Sequence, residues 1–246
     1  MKNKRLMILT LALVSYSITL PVQAESWWKK GAGILNALTG GSSVAEPGVS
    51  EIGAAFKEAL RIGSEQVTAQ LGKTDGFNKD PAIHIPLPEQ LNSVKQVLAK
   101  IGLSGPVDTL EMKMNRAAEV ATPKAKKLFV DAIKAMTFDD VLAIYKGPAD
   151  SATQYFREKM SPSLMKEMTP IVDSSLAEVG AVKAFDTVMN KYDALPFVPK
   201  VESDLTGHVV NKAIDGIFYY MAQEEKAIRE DPRRQTTALL KRVFGK

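Results

Sequence analysis

An arginine and a carboxylate stand three residues apart near the middle of the chain, in the run Asn115-Arg116-Ala117-Ala118-Glu119. Residues three apart on a helix are surface neighbours, so Arg116 and Glu119 can pair. The residues that flank the arginine on a helix are apolar, which predicts that it is partly buried. Such a pair, with Asn115 beside it, could bind the anionic head group of a ligand. The commoner alternative is a structural one, in which the pair pins two elements together.

Carboxylic acids offer a second chemical possibility, acid–base hydrolysis. The candidate residues are Glu119, Asp139, Asp140, Glu224 and Glu225. Two carboxyl groups about 5–10 Å apart across a cleft would favour cleavage of glycosidic bonds. Glu224 and Glu225 are adjacent, and adjacent side chains on a helix point about 100° apart, so these two cannot easily share a proton. The alternative to a catalytic role for Glu224 and Glu225 is that they form ion pairs on a solvent-exposed helix face.

Composition removes most other catalytic options. The 246 residues include no cysteine and two histidines, which excludes disulfides, thiolate metal sites and cysteine nucleophiles. His84 and His208 have no further ligands at metal spacing, and no GxSxG or HExxH motif occurs. We therefore assign no catalytic residue, no metal site and no cofactor from the sequence.

The first 24 residues have the three-part pattern of a secretory signal peptide. Lys2, Lys4 and Arg5 form a basic head, an apolar run follows, and small side chains precede a cleavage point after Ala24. An uncleaved membrane anchor is the alternative, because the apolar run is close to the minimum length that spans a bilayer. We expect a periplasmic or secreted protein.

Export also changes the charge of the protein. Removing residues 1–24 takes away three of the 32 basic residues, so 29 basic and 28 acidic residues leave a net charge of +1. A nearly neutral chain has no large positive field with which to attract phosphates, so we expect no nucleic acid partner.

Residues 25–49 are predicted to form a flexible arm rich in tryptophan and glycine. Trp27 and Trp28 stand at its start, before a stretch rich in Gly, Ala and Ser. Tryptophan suits a membrane interface or a groove on a partner protein, so the pair is a candidate for peripheral membrane or envelope-protein contact. The alternative is that both rings fold back onto the body of the protein.

From Ser50 onward the spacing of apolar residues is helical, and no sustained alternating stretch predicts a strand. Lys73 to Pro88 is predicted to be a loop, because Pro and Gly recur in it. Thr122-Pro123 and Ser161-Pro162 are each expected to begin a new helix, since proline is favoured at the first helical position. Residues 50–246 are therefore predicted to form a single all-α, bundle-like domain of about nine helices.

The last long helix, predicted from Ser203 to Glu230, has an unusually wide apolar side. Its members are Val209, Val210, Ala213, Ile214, Ile217, Phe218 and Met221. Such a helix is normally central in a core. Together with aromatic residues on other helices, among them Tyr155 and Phe156, it could line an apolar ligand cavity. A filled core is the commoner outcome.

Several runs resemble the bacterial "domain of unknown function 4197" family. They are Pro86-Leu87-Pro88, Asn115 to Glu119, Thr153 to Phe156, Ala213 to Phe218, Glu224 to Arg229 with Asp231-Pro232, and Thr236 to Gly245. The similarity covers about Ser50 to Gly245. The resemblance implies an exported bacterial protein with one domain, and it implies no activity or catalytic residue.

The sequence favours a non-enzymatic binding or adaptor protein of the bacterial envelope, for an apolar or amphipathic ligand or an envelope partner. A carboxylate-dependent hydrolase of envelope material and a structural or stress protein are the alternatives. The candidate ligand-binding residues are Asn115, Arg116, Glu119, Tyr155 and Phe156.

Overall fold

The structure is a computed structural model, which describes residues 47–137 and 141–245. The described residues contain eight α-helices and no strand, which confirms the predicted all-α class. The helices are α1 Val49–Leu71, α2 Asn92–Lys100, α3 Ser104–Ala135, α4 Val141–Lys146, α5 Ser151–Glu178, α6 Ala181–Asp193, α7 Leu205–Glu230 and α8 Ala238–Phe244. Two single turns of 3-10 helix, Glu89–Leu91 and Pro232–Arg234, complete the regular structure of these residues.

Two predicted helix starts are wrong, because prolines lie inside helices rather than at their ends. Helix α3 continues through Pro123, and α5 continues through Pro162 and Pro170. A serine or threonine precedes each of these prolines: Thr122, Ser161 and Thr169. Each hydroxyl donates a hydrogen bond to the carbonyl four residues earlier, at 2.6–2.7 Å. Each of these bonds is a local contact where proline lacks an N–H. The described residues form eight helices, where about nine were predicted.

Helices α3 and α7 are at the centre of the bundle. Both pack against α1 and α5, and α6 packs on α3 while α8 packs on α1 and α7. The whole predicted apolar side of α7 is buried. Phe218 on this side contacts Phe129 of α3 and Phe156 of α5, both edge to face, with ring centroids 6.0 and 5.7 Å apart. Aromatic rings from three helices thus fill the space between them.

The predicted loop from residue 73 to residue 88 packs closely on the bundle. Its large apolar side chains are buried, and they are Phe77, Ile83, Ile85 and Leu87. Gly216 of α7 allows this packing, because a β-carbon there would lie only 3.0 Å from the Phe77 ring and 3.2 Å from Ile83. The loop therefore forms part of the core despite its lack of regular structure.

Helix α1 ends at Leu71, and the glycine that follows it is required by the space available. Gly72 has a φ of −74°, which other residues also adopt. A β-carbon at this position would lie 2.3 Å from the ring of Pro123. The glycine thus leaves room for the proline that projects from α3.

Candidate functional site

Asn115 is buried on α3 and binds the loop through its side-chain amide. Its Oδ1 accepts a hydrogen bond from the Ile85 amide at 2.9 Å, and its Nδ2 donates to the Ile85 carbonyl at 2.8 Å. The same Nδ2 donates to the carbonyl of Glu111 within α3. The amide therefore satisfies both backbone groups of a buried loop residue, as a neighbouring strand would in a sheet.

The predicted pair of Arg116 and Glu119 forms, and it binds the same loop. Glu119 is 2% exposed, and its Oε1 accepts hydrogen bonds from the amides of Phe77 and Asn78 at 3.1 and 3.0 Å. Arg116 bridges the Glu119 carboxylate and the Asp75 carboxylate, both at 2.6 Å. The residues that the sequence offered as an anion site therefore engage the protein itself, which is the structural alternative.

His84 adds a third attachment between the loop and α3. Its Nδ1 lies 2.8 Å from the Asn78 carbonyl, and its Nε2 lies 3.0 Å from the carboxylate of Glu111. The ring thus lies between an oxygen of the loop and an oxygen of α3. Burial raises the pKa of Glu111, but the bonds from His84 and Lys95 lower it by more. The pKa of Glu111 is therefore below its ordinary value.

We expect acid to weaken the attachment at Asp75. Hydrogen bonds from Lys79, Asn78 and Arg116 lower the pKa of Asp75 well below its ordinary value of 3.8. A carboxyl whose pKa is lower in the folded state stabilises the fold fully above its ordinary pKa, and this contribution is lost as the pH falls towards the folded-state value. Wild type should therefore be more stable than Asp75→Asn at neutral pH, and the difference should shrink in acid.

Urea denaturation of both proteins from neutral pH down to strong acid measures this difference. Asp186→Asn is the control, because Asp186 is exposed on α6. Its difference from wild type should be small at every pH. A difference for Asp75→Asn that stays constant down to the lowest pH would contradict the assignment.

A cleft of about 700 Å³ opens beside the loop. One wall is the loop itself, with Ile83, His84 and Pro86, and another is the first two turns of α5. The floor is a stripe of α7 at helical spacing: Lys212, Asp215, Gly216, Tyr219, Ala222 and Gln223. The cleft is thus built from three segments that are distant in the sequence.

Charged groups in the cleft are only partly neutralised by one another. Arg157 of α5 forms an ion pair with Asp215 of α7, and its guanidinium lies 5.7 Å from the centre of the Phe218 ring. Lys212 is exposed, and its ammonium group has no hydrogen-bond or ion-pair partner among the described residues. The cleft therefore offers hydrogen-bonding groups over a small apolar surface, as ligand sites do.

A second buried carboxylate, Glu225 of α7, binds the start of α5. It is 2% exposed, and it accepts hydrogen bonds from the amides of Ala152 and Thr153 at 3.1 and 2.7 Å. Arg229, one turn further along α7, donates to this carboxylate at 2.7 Å and to the hydroxyl of Ser151 at 2.8 Å. The free N–H groups at the helix start are thus already bound, so this helix end is not an open anion site.

The structure places the other predicted site residues apart from Arg116. Phe156 lies in the core against Phe218, and the hydroxyl of Tyr155 donates to the Thr137 carbonyl at 3.4 Å. Trp27, Trp28, the signal peptide and most of the predicted arm lie outside the described residues, as do the side chains of Asp139 and Asp140.

The α7 residues of the cleft could be recognised in the sequence as a polar helix face. Lys212, Asp215 and Tyr219 form a polar side of the last long helix, opposite its apolar side. The α5 residues Gln154 and Arg157 had no comparable signal, because only the tertiary packing brings α5 beside α7. Among the described residues, no three His, Asp or Glu side chains are grouped to hold a metal ion. No helix in this part of the chain has the length and apolar character to cross a membrane.

Comparison with known proteins identifies one family. Residues 46–245 match the sequence pattern of a family described as "Protein of unknown function (DUF4197)". No curated protein and no solved structure shows significant similarity to the chain. The match includes the loop, the two buried carboxylates and the cleft. Because it covers well over half of the sequence, this chain belongs to the DUF4197 family.

Proposed function

We propose that the chain is an exported, non-enzymatic binding protein of the bacterial envelope that holds an amphipathic ligand in the cleft beside α7. The observation that carries the proposal is the cleft itself, with a volume of about 700 Å³. Phe218 and Ala222 provide apolar surface, while Gln154, Arg157 and Lys212 provide polar groups around it. A ligand with one apolar face and several hydrogen-bonding groups matches this lining.

The state of the acidic residues supports binding over hydrolysis. Glu119, Glu224 and Glu225 each form an ion pair with an arginine, at 2.6, 3.1 and 2.7 Å. Glu119 and Glu225 also accept two backbone hydrogen bonds each. A carboxylate whose oxygens are already bound to an arginine and to backbone amides is not free to reach a substrate as a general acid or base must.

The N-terminal sequence supports the cellular location that we propose. The basic head, apolar run and small residues before Glu25 are typical of a signal peptide. Trp27 and Trp28 follow directly in the mature chain, and we propose that they contact the membrane surface or an envelope partner. The ligand would then be bound in the bacterial envelope.

Native mass spectrometry of protein purified from its host tests the cleft. We expect wild type to retain a bound small molecule, and we expect Ala222→Trp to lose it because the indole fills the cleft. Ala99→Trp is the control, since Ala99 is exposed on α2, and it should retain the ligand. Identical ligand-free masses for all three proteins would count against the proposed function, as would a ligand that Ala222→Trp retains.

A further inference from the structure

A second depression adjoins the cleft along α7. It has a volume of about 310 Å³, shares Pro86 and Lys212 with the cleft, and adds Glu89, Gln90 and His208. The His208 ring lies 2.8 Å from the Pro86 carbonyl where the two meet. The α7 residues that line the two depressions, together called the groove, run from His208 to Gln223, roughly 22 Å at 1.5 Å per residue. A ligand that occupies both depressions is elongated.

The charges along the groove do not favour a strongly anionic ligand. In the main cleft the two cations, Arg157 and Lys212, are equal in number to the two anions, Asp150 and Asp215, and the second depression adds Glu89. The His84 ring is already bound to the carboxylate of Glu111. With nearly equal numbers of positive and negative groups, the groove has little net field. A neutral ligand rich in hydroxyl groups can use both kinds, because each hydroxyl donates and accepts.

An exposed tyrosine lies on the floor of the groove. Tyr219 is 45% exposed, and its ring centroid lies 5.1 Å from that of Tyr220, at right angles to it. The hydroxyl of Tyr220 donates to the carboxylate of Asp80 in the loop, so the ring that supports Tyr219 is itself fixed. An aromatic ring held in place beside polar groups offers an apolar face on which the C–H face of a sugar ring can pack.

Two amide side chains lie near this ring and have no internal role. Gln154 of α5 and Gln223 of α7 both line the cleft and are exposed. Within the part of the chain that the structure describes, neither side chain makes a hydrogen bond. Each amide can therefore donate to one hydroxyl and accept from another, which is the pattern that a polyol requires.

We infer that the groove binds a neutral oligosaccharide, with Tyr219 packed on one sugar ring and Gln154 and Gln223 bonded to hydroxyl groups. The inference rests on the proposed function and names the ligand class of the same cleft. The length of the groove, its balanced charge, its exposed aromatic ring and its free amides all point to this class. A peptide of similar length is the competing occupant that the experiment must separate.

Isothermal titration calorimetry with three probes distinguishes these ligands. The probes are chitotetraose, cellotetraose and an uncharged, end-capped hexapeptide of Ala and Ser. We expect wild type to bind at least one of the two sugars and to bind the peptide more weakly by tenfold or more. Tyr219→Ala should reduce the sugar affinity at least tenfold, while Tyr219→Trp, which keeps an aromatic face, should retain it within about threefold.

Tyr145→Ala is the matched control. Tyr145 lies on α4 and is also partly exposed, but its ring packs against Phe56 of α1 and not in the cleft. Its sugar affinity should equal that of wild type, and circular dichroism should show that all variants are folded. Binding of the peptide but of neither sugar would overturn the sugar assignment while leaving a binding cleft in place. If no probe binds and the host-purified protein also carries no ligand, both the inference and the proposed function fail.

Discussion

Replacing Glu119 by alanine is expected to lower the free energy of unfolding by about 2–4 kcal/mol, because a buried donor left without its acceptor costs about 1–3 kcal/mol and two amides are affected. The substitution leaves the amides of Phe77 and Asn78 without their acceptor, and it takes one of two carboxylates from Arg116. The Phe77 amide lies in the interior, so water cannot easily replace the lost bond. The loop should then separate from α3 before the rest of the bundle unfolds.

Urea denaturation measures the loss, and hydrogen exchange at the Phe77 and Asn78 amides locates it. Glu178→Ala is the control, because Glu178 pairs with Lys124 at 2.6 Å on the surface and its side chain is 56% exposed. Exposed pairs contribute up to about 1 kcal/mol, so this variant should remain close to wild type. Equal stability of the two variants would contradict the role that we assign to Glu119.

The second large effect is expected at Glu225, which binds the start of α5 as Glu119 binds the loop. Glu225→Ala removes the acceptor for the Ala152 and Thr153 amides and for the Thr153 hydroxyl. It also leaves Arg229, whose side chain is 11% exposed, without its carboxylate above the Phe56 ring. We expect a loss of about 3–5 kcal/mol, with faster exchange of the amides at the start of α5.

The adjacent Glu224 provides a matched control on the same helix. Its carboxylate pairs with the more exposed Arg234 at 3.1 Å, and Glu224→Ala should cost about 1 kcal/mol or less. Glu225→Gln should be intermediate, since the amide oxygen still accepts one hydrogen bond. If Glu224→Ala and Glu225→Ala have the same midpoint in urea, Glu225 does not hold α5 in the way described.

The helical class and the two sides of α7 were predictable because they depend on local spacing. The period of the apolar residues is visible in one stretch of sequence, and the buried side of α7 agrees with it. The prolines misled the prediction, because proline is favoured at helix starts and the compensating Thr122 and Ser161 hydroxyl bonds appear only once the helix has formed.

The pairing of Arg116 with Glu119 was predictable for the same local reason, but the segment that the pair binds was not. The partners that decide it, Asp75, Phe77 and Asn78, lie about forty residues earlier in the chain. The cleft was hidden in the same way, because its loop and its two helices meet only in the folded protein. The spacing in the sequence therefore shows which charged groups can pair along one helix. It does not show which of them face solvent.

Helix α7 carries two sets of residues on opposite sides. Val210, Ile214 and Met221 are buried in the bundle, while Lys212, Tyr219 and Gln223 face the cleft. Gly216 and Phe218 belong to both the core and the lining of the cleft, but the three outward residues named here do not. Selection or design can therefore change these three while the inward set preserves the scaffold. The lining of the cleft can thus be changed without a new architecture for the bundle.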